Sequence, residues 1–421
     1  MSWIIIYLFC KVLRINYEHV VNGAYDAIRV VVPTLCLLMA IGVMIGTWLQ
    51  SGTIATIIVG GLKLINPTWL LPLTLIFCAV LSLVTGTSYG SVGSAGVAMM
   101  AIGNAMGINP GMVAGAVICG AMFGDKLSPL SDTTNLAPAV AGSKLNDHVR
   151  SMLWTTLPTF VISLVLFVIL GISQTSGNYE TGNLLTYIDA LQGEFKLGFI
   201  TLLPAIAIII LLLCKVNAVV SLGLSAICAG AVSFFYQGAT LQSIIRVAYN
   251  GYSTSIEEGI LQTILNRGGM SSMLQYVAII CFAVGMGGML DRLGVLGNLL
   301  NAIVNHINSD GSLIAASLLV GYVTSLISCS QPMSHVLTGN MMKPLFKSRK
   351  IAPEILSRTL EDAGTLSGPM IPWHGYCVYM AGTLGVAWSV FFPYLFLLYL
   401  TPLFSIFYGF IGISIKHVEE N

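Results

Sequence analysis

The chain has 421 residues, 56% of them hydrophobic and only 8% charged, with a formal net charge of +1 and a mean hydropathy of +0.87. A water-facing domain carries about a quarter charged residues, so a soluble globular fold is excluded, and Lys and Arg this sparse and scattered exclude a nucleic-acid partner. Apolar runs long enough to cross a hydrocarbon core of about 30 Å recur along the whole chain, so membrane lipid solvates most of the surface.

Ser2 to Leu13 is apolar but shorter than a full span, and no small-residue cleavage site follows it. It reads as a half-span, an interfacial helix or the remainder of a longer amino terminus, not as a signal peptide. Spans are predicted at about 30–48, 68–86, 111–124, 151–172, 197–214, 216–236, 272–290, 312–328 and 374–413, the last long enough for two. With the short apolar pieces between them, this predicts an all-α polytopic membrane protein of roughly ten or eleven transmembrane helices. Trp48, Trp69, Trp154 and Trp373 near span ends read as interfacial anchors. The nine cysteines, none in a Cys-x-x-Cys pair, read as small packing residues.

Basic residues are retained on the cytoplasmic side of a membrane. Lys343, Lys347, Arg349, Lys350 and Arg358 mark the longest basic loop as cytoplasmic. The acidic loop with Glu180, Asp189 and Glu194 goes outside, and one span on either side of it returns Arg150 and Lys215 to the inside.

An internal repeat organises these spans. Leu71-Pro72 through Thr87-Ser88-Tyr89 aligns without a gap on Leu313-Ile314 through Cys329-Ser330-Gln331, and the same offset lays Gly46 on Gly288 and Gly52 on Gly294. Farther on, Gly124-Asp125-Lys126-Leu127-Ser128-Pro129 matches Glu361-Asp362-Ala363-Gly364-Thr365-Leu366. If Lys343 to Arg358 is cytoplasmic, its counterpart Gly103 to Pro110 must be external for Lys144 to Arg150 to return inside after one crossing. The halves are then opposite in orientation: 1–145 is a first inverted repeat, 146–240 supplies connecting spans and 241–421 is a second repeat. Inverted repeats around a midplane site are the architecture of secondary transporters.

In each half a span is interrupted by a polar stretch too short to be a water-exposed loop. These are Thr85-Gly86-Thr87-Ser88-Tyr89-Gly90 and Ser328-Cys329-Ser330-Gln331-Pro332. Irregular backbone at membrane depth persists only where it is buried in protein or lines a wet cavity, so both read as tips of re-entrant hairpins or breaks in helices. Their hydroxyls and freed carbonyls are ligands for a hard cation such as Na+. A third interruption, Gly124 to Pro138, holds Asp125 and Asp132 seven residues apart, with Pro129 breaking the helix between them. Of the 17 acidic residues, Glu18, Asp26, Asp147, Glu180, Asp189, Glu194, Glu257, Glu258, Asp310, Glu354, Glu419 and Glu420 fall in loops or ends and Asp291 closes a span. Asp125, Asp132, Glu361 and Asp362 remain, and an intramembrane acid marks an ion or proton pathway by default. The structural alternatives are an ion pair of Asp125 with Lys126 and an N-cap role for Asp132 ahead of a half-helix starting at Thr133. His335 and His374 beside the second-half motifs read as neutral hydrogen-bonded residues rather than proton carriers.

Gly124 through Pro138 closely resembles the signature of the NhaC family of Na+/H+ antiporters, as do Thr85 to Gly90 and Thr359-Leu360-Glu361-Asp362-Ala363-Gly364-Thr365 with Pro369 to Trp373. The resemblance runs from about Tyr17 to Ile413. It implies an ion-transporter fold of inverted repeats with re-entrant hairpins, a homodimer, and a bacterial cytoplasmic membrane location. The amino terminus is shorter than the family's, and Cys329 and Pro332 depart from its pattern at the second tip.

The reading is a transporter exchanging Na+ for H+, with no cofactor. Its site is a midplane cluster of Asp125, Asp132, Asp362 and Glu361, with Thr87, Ser88, Ser128, Thr133, Asn135, Ser330 and Gln331 in support and Na+ held at Asp125 and Asp132. The alternatives are a Na+/H+-coupled exchanger of organic anions, malate, lactate or amino acids, with Lys126 or Arg292 as the anion's partner, and a channel. A membrane enzyme lacks a plausible triad or metal-ligand spacing.

Overall fold

In the computed structural model, residues 2–175, 182–254, 262, 264–294 and 307–418 are described, and they are helical throughout apart from turns and one isolated bridge between Ile351 and His417. Glu180, Glu257, Glu258, Glu419 and Glu420, assigned above to loops and ends, lie outside the described residues. Among these residues six helices are long and apolar enough to span a bilayer: Tyr17–Gln50, Pro67–Thr85, Leu145–Gln174, Ala218–Gln237, Met270–Arg292 and Asp310–Ser328. Three bent pairs raise the number to nine if each is one span: Pro110–Leu127 with Asp132–Ala141 (49°), Thr186–Glu194 with Phe199–Leu213 (90°) and Gly375–Leu384 with Trp388–Tyr394 (88°). The count of ten or eleven drew on pieces that fold as shorter apolar helices, among them Thr53–Leu64 and Phe396–Ile411.

Local chemistry sets where these helices start. Asn16, Asn66, Asn109 and Asn217 accept hydrogen bonds from the amides of Glu18, Thr68, Gly111 and Val219, satisfying first-turn donors that lipid cannot. Pro67 and Pro110 then occupy first-turn positions where a missing N–H costs nothing. Helix packing runs through glycine. A side chain on Gly120 or Gly124 would strike the Leu75 or Ala79 carbonyl, so Pro110–Leu127 lies almost backbone to backbone against Pro67–Thr85. Gly23 and Gly288 do the same where Tyr17–Gln50 crosses Met270–Arg292. Trp48 is not an interfacial anchor: it is 1% exposed and its indole donates to Ser225 Oγ at 2.9 Å. Trp69, Trp154 and Trp373 stay exposed.

Pro67–Thr85 and Asp310–Ser328 end alike. Gly86 (φ 71°, ψ 24°) and Cys329 (φ 54°, ψ 23°) are left-handed, Thr87 (φ −149°, ψ 120°) and Ser330 (φ −140°, ψ 121°) are extended, and new helices begin at Ser88 and Gln331. The backbone therefore pairs Gly86 with Cys329, Thr87 with Ser330 and Ser88 with Gln331, one residue out of step with the gapless sequence alignment. Residue types misled the alignment, because Cys329 takes a conformation that usually selects glycine.

Candidate ion site at paired helix breaks

The break after Leu127 is built from its own side chains. Ser128 is extended (φ −76°, ψ 123°) and Pro129 cannot continue a helix. The carbonyls freed upstream do not go unpaired: Thr134 Oγ1 donates to those of Asp125 and Lys126, both at 3.0 Å. Asn135 Nδ2 donates to the carbonyls of Pro129 and Ser131 at 2.9 and 2.7 Å, and Ser128 Oγ accepts from the Leu130 amide at 3.3 Å. Ser128 and Asn135 thus hold the break itself. The second half-helix begins at Asp132 rather than Thr133, which puts Ser131, not Asp132, at the N-cap position.

Asp125 sits in the last turn before the break, 4% exposed, and its Oδ2 accepts from Ser88 Oγ at 2.6 Å. It makes no ion pair with Lys126. The Lys126 ammonium instead reaches across the molecule to Asp362 Oδ1, with both side chains fully buried. Thr155 Oγ1 donates to the same oxygen at 3.3 Å. Asp362 and Glu361 open a π-helical turn, Glu361–Thr365, a rare form that recurs at functional sites. Asp362 Oδ2 and both Glu361 carboxylate oxygens are buried without a hydrogen-bond partner.

A cavity of about 520 Å³ joins the two tips. Thr87, Asp132 and Thr133 line it from one side and Ser330, Gln331 and His374 from the other, with Lys215 and Asn217 also in its wall. Asp125 and Ser88 do not line it; Ser88 lies between Thr87 and Tyr89, which do. Gln331 Nε2 donates to the Thr365 carbonyl at 2.7 Å, and Thr365 Oγ1 meets His335 Nε2 at 3.2 Å, tying the second tip to the π turn. His374 Nδ1 accepts from the Tyr376 amide at 3.1 Å, a capping role.

The expected residues thus fall into four groups: the Asp125–Ser88 pair, Ser128 and Asn135 at the break, the cavity wall, and the buried Glu361–Asp362–Lys126 cluster. Sequence reasoning missed Tyr89 and Tyr376, whose rings pack in the cavity wall with centroids 4.3 Å apart and planes tilted by 44°, while Thr34 Oγ1 donates to Tyr89 Oη at 3.4 Å. It missed Thr134 and Thr155 as well. Thr134 stands inside the motif and was findable there, whereas Thr155 lies in a plain span and carries no signal.

The Na+/H+ antiporter family model matches residues 120–413, which take in the break and the π turn. A protein described as Na+/H+ antiporter NhaC from Alkalihalophilus pseudofirmus is 36% identical over 97% of this chain and 88% of its own length. The chain belongs to the Na+/H+ antiporter family. The chain is also similar to a malate-2H+/Na+-lactate antiporter of Bacillus subtilis, 34% identical over 100% of this chain and 90% of its own, and to an arginine/ornithine antiporter, ArcD, of Halobacterium salinarum, 32% identical over 96% and 84%. Among solved structures, Neisseria gonorrhoeae MtrF aligns over 94% of this chain and 84% of its own at 10% identity and a TM-score of 0.42, too distant to carry an argument.

Proposed function

We propose that this antiporter exchanges Na+ for H+ across a bacterial cytoplasmic membrane, with Asp125 as the residue for which the two ions compete. The observation that carries this reading is a carboxylate buried at a helix break, without a paired cation among the described residues, whose Oδ2 accepts from the Ser88 hydroxyl and which the Ser131 side chain also reaches. An Asp ionised at membrane depth costs about 2.5–3.5 kcal/mol on insertion scales. Either a bound proton or a bound Na+ removes that cost, and one carboxylate cannot hold both. Asp132, in the cavity wall, meets the hydrated cation first, with Thr87 and Thr133 replacing water. If each cycle moves more H+ than Na+, the membrane potential adds about 2.3 kcal/mol per net charge per 100 mV. The matched backbone at Gly86-Thr87 and Cys329-Ser330 supports two repeats meeting at this cavity, 1–145 and 241–421, with 146–240 between them.

The anion-exchange reading relied on Lys126 or Arg292. Lys126 is committed to Asp362, and Arg292 Nη2 donates to Asp26 Oδ2 at 2.9 Å. The test is Na+-induced proton movement in proteoliposomes without organic acid, comparing the parent with Asp125→Asn and Asp132→Asn. Flux in the parent that vanishes in Asp125→Asn is expected. Undiminished flux in that variant would remove the proposed site, and parent flux that needs an added carboxylate would favour anion exchange.

A further inference from the structure

A second polar cavity, of about 350 Å³, lies farther along the Tyr17–Gln50 helix. The first cavity touches that helix at Val30 to Leu37, the second at Ile45. Its wall holds one cation, Arg267, among Asn250, Tyr252, Asn266, Gln275 and Tyr276, and among the described residues it holds no acid. Glu194 does not line it, and its two carboxylate oxygens accept from the hydroxyls of Tyr252 and Thr254, at 2.6 and 2.5 Å.

A guanidinium has five N–H donors in a planar fork. That of Arg267 makes one long bond, Nη2 to the Thr383 carbonyl at 3.4 Å, and among the described residues no carboxylate lies within ion-pairing distance. The guanidinium packs directly against Gly385, also in the cavity wall, where a Cβ would collide with its nitrogens, so the absent side chain is what lets Arg267 sit there. The 23-residue helix Met270–Arg292 begins at this wall, and its N-cap, Gly269, supplies no side chain to its first amides. The positive end of that helix therefore adds to the charge of Arg267.

We propose that this cavity binds a small carboxylate anion. Arg267 takes the carboxylate by its fork, and the amides of Asn250, Asn266 and Gln275 with the Tyr276 hydroxyl receive a hydroxyl or a second carboxyl group of the same molecule. The inference does not rest on the Na+/H+ reading, since none of its residues belongs to the Asp125 site.

The experiment is calorimetric titration of the purified protein in detergent with lactate, malate and inorganic phosphate in turn at constant chloride, for the parent, Arg267→Gln and Gln275→Leu. Binding of at least one carboxylate in preference to phosphate is expected, weakened tenfold or more by Arg267→Gln, about 1.4 kcal/mol, and several-fold by Gln275→Leu. Unliganded melting curves and elution profiles report folding. If Arg267→Gln does not fold, Gln275→Leu decides, a loss of affinity supporting the site and an unchanged one overturning it. No carboxylate binding in the parent, tighter binding of phosphate, or equal affinity in a folded Arg267→Gln would each overturn the proposal.

Discussion

At the scale of single residues, the division of labour among four acids is set by their partners. Asp125 is held by hydroxyl donors, Ser88 on Oδ2 foremost, whereas Asp362 is neutralised by Lys126. A hydrogen bond to a charged group contributes about 1.5–3 kcal/mol. Ser88→Ala should therefore raise the Na+ concentration for half-maximal proton flux by ten- to a hundredfold while leaving the protein folded, as read from flux titrations and melting curves. The buried pair behaves differently. Removing one partner leaves a stranded charge and costs about 3–5 kcal/mol, whereas replacing both with apolar groups is often neutral. Lys126→Met alone should lower the melting temperature in detergent sharply, and Lys126→Met with Asp362→Leu should recover most of the loss. A double variant as unstable as the single would show that the pair is not the source of the effect.

At the scale of elements, the two tips use one backbone geometry with different residues. Cys329 at φ 54° carries the strain of a left-handed non-glycine residue, about 1–2 kcal/mol. Cys329→Gly should relieve part of that strain and raise the melting temperature. Gly86→Ala should lower it, because φ is 71° there and a Cβ would press on Leu130. Thermal denaturation of both variants checks the pairing of Gly86 with Cys329. Pairing by the gapless alignment, which lays Thr87 on Cys329, assigns neither of these opposite effects. The Pro110–Leu127 and Pro67–Thr85 contact makes a further test. Gly124→Leu should destabilise strongly, since the new side chain meets the Ala79 carbonyl and the Leu83 amide rather than a compliant side chain.

At the scale of the whole molecule, one helix of 34 residues, about 51 Å at 1.5 Å per residue, runs past both cavities. The cavity between the tips includes Asn217, and the cavity at Arg267 includes Ser253. In a background without accessible cysteines, Asn217→Cys should react with a membrane-impermeant thiol reagent from the cytoplasmic side, and Ser253→Cys from the outer side. Labelling of either residue from the opposite side would overturn the orientation drawn from the basic loops.

Membrane class, the approximate positions of the long spans, the breaks and the three buried acids Asp125, Glu361 and Asp362 were legible in the sequence, because lipid imposes a strong rule, whereas Asp132, read as a fourth, is exposed in the cavity wall. Apolar length marks a span, and a polar or Pro-containing stretch inside one must be satisfied by protein or water. The Gly124 to Pro138 motif also carried the family. The sequence did not show which side chains meet. Lys126 stands next to Asp125 in the chain and pairs with Asp362, since neighbouring residues on a helix point in different directions. The hydroxyl of Thr155, the burial of Trp48 and the one-residue shift between the tips all follow from how distant helices pack. The Arg267 cavity likewise exists only once the helices beginning at Tyr17, Met270 and Gly375 are assembled around it. Solvent rules are written along the chain, whereas contacts between charges are decided by three-dimensional proximity.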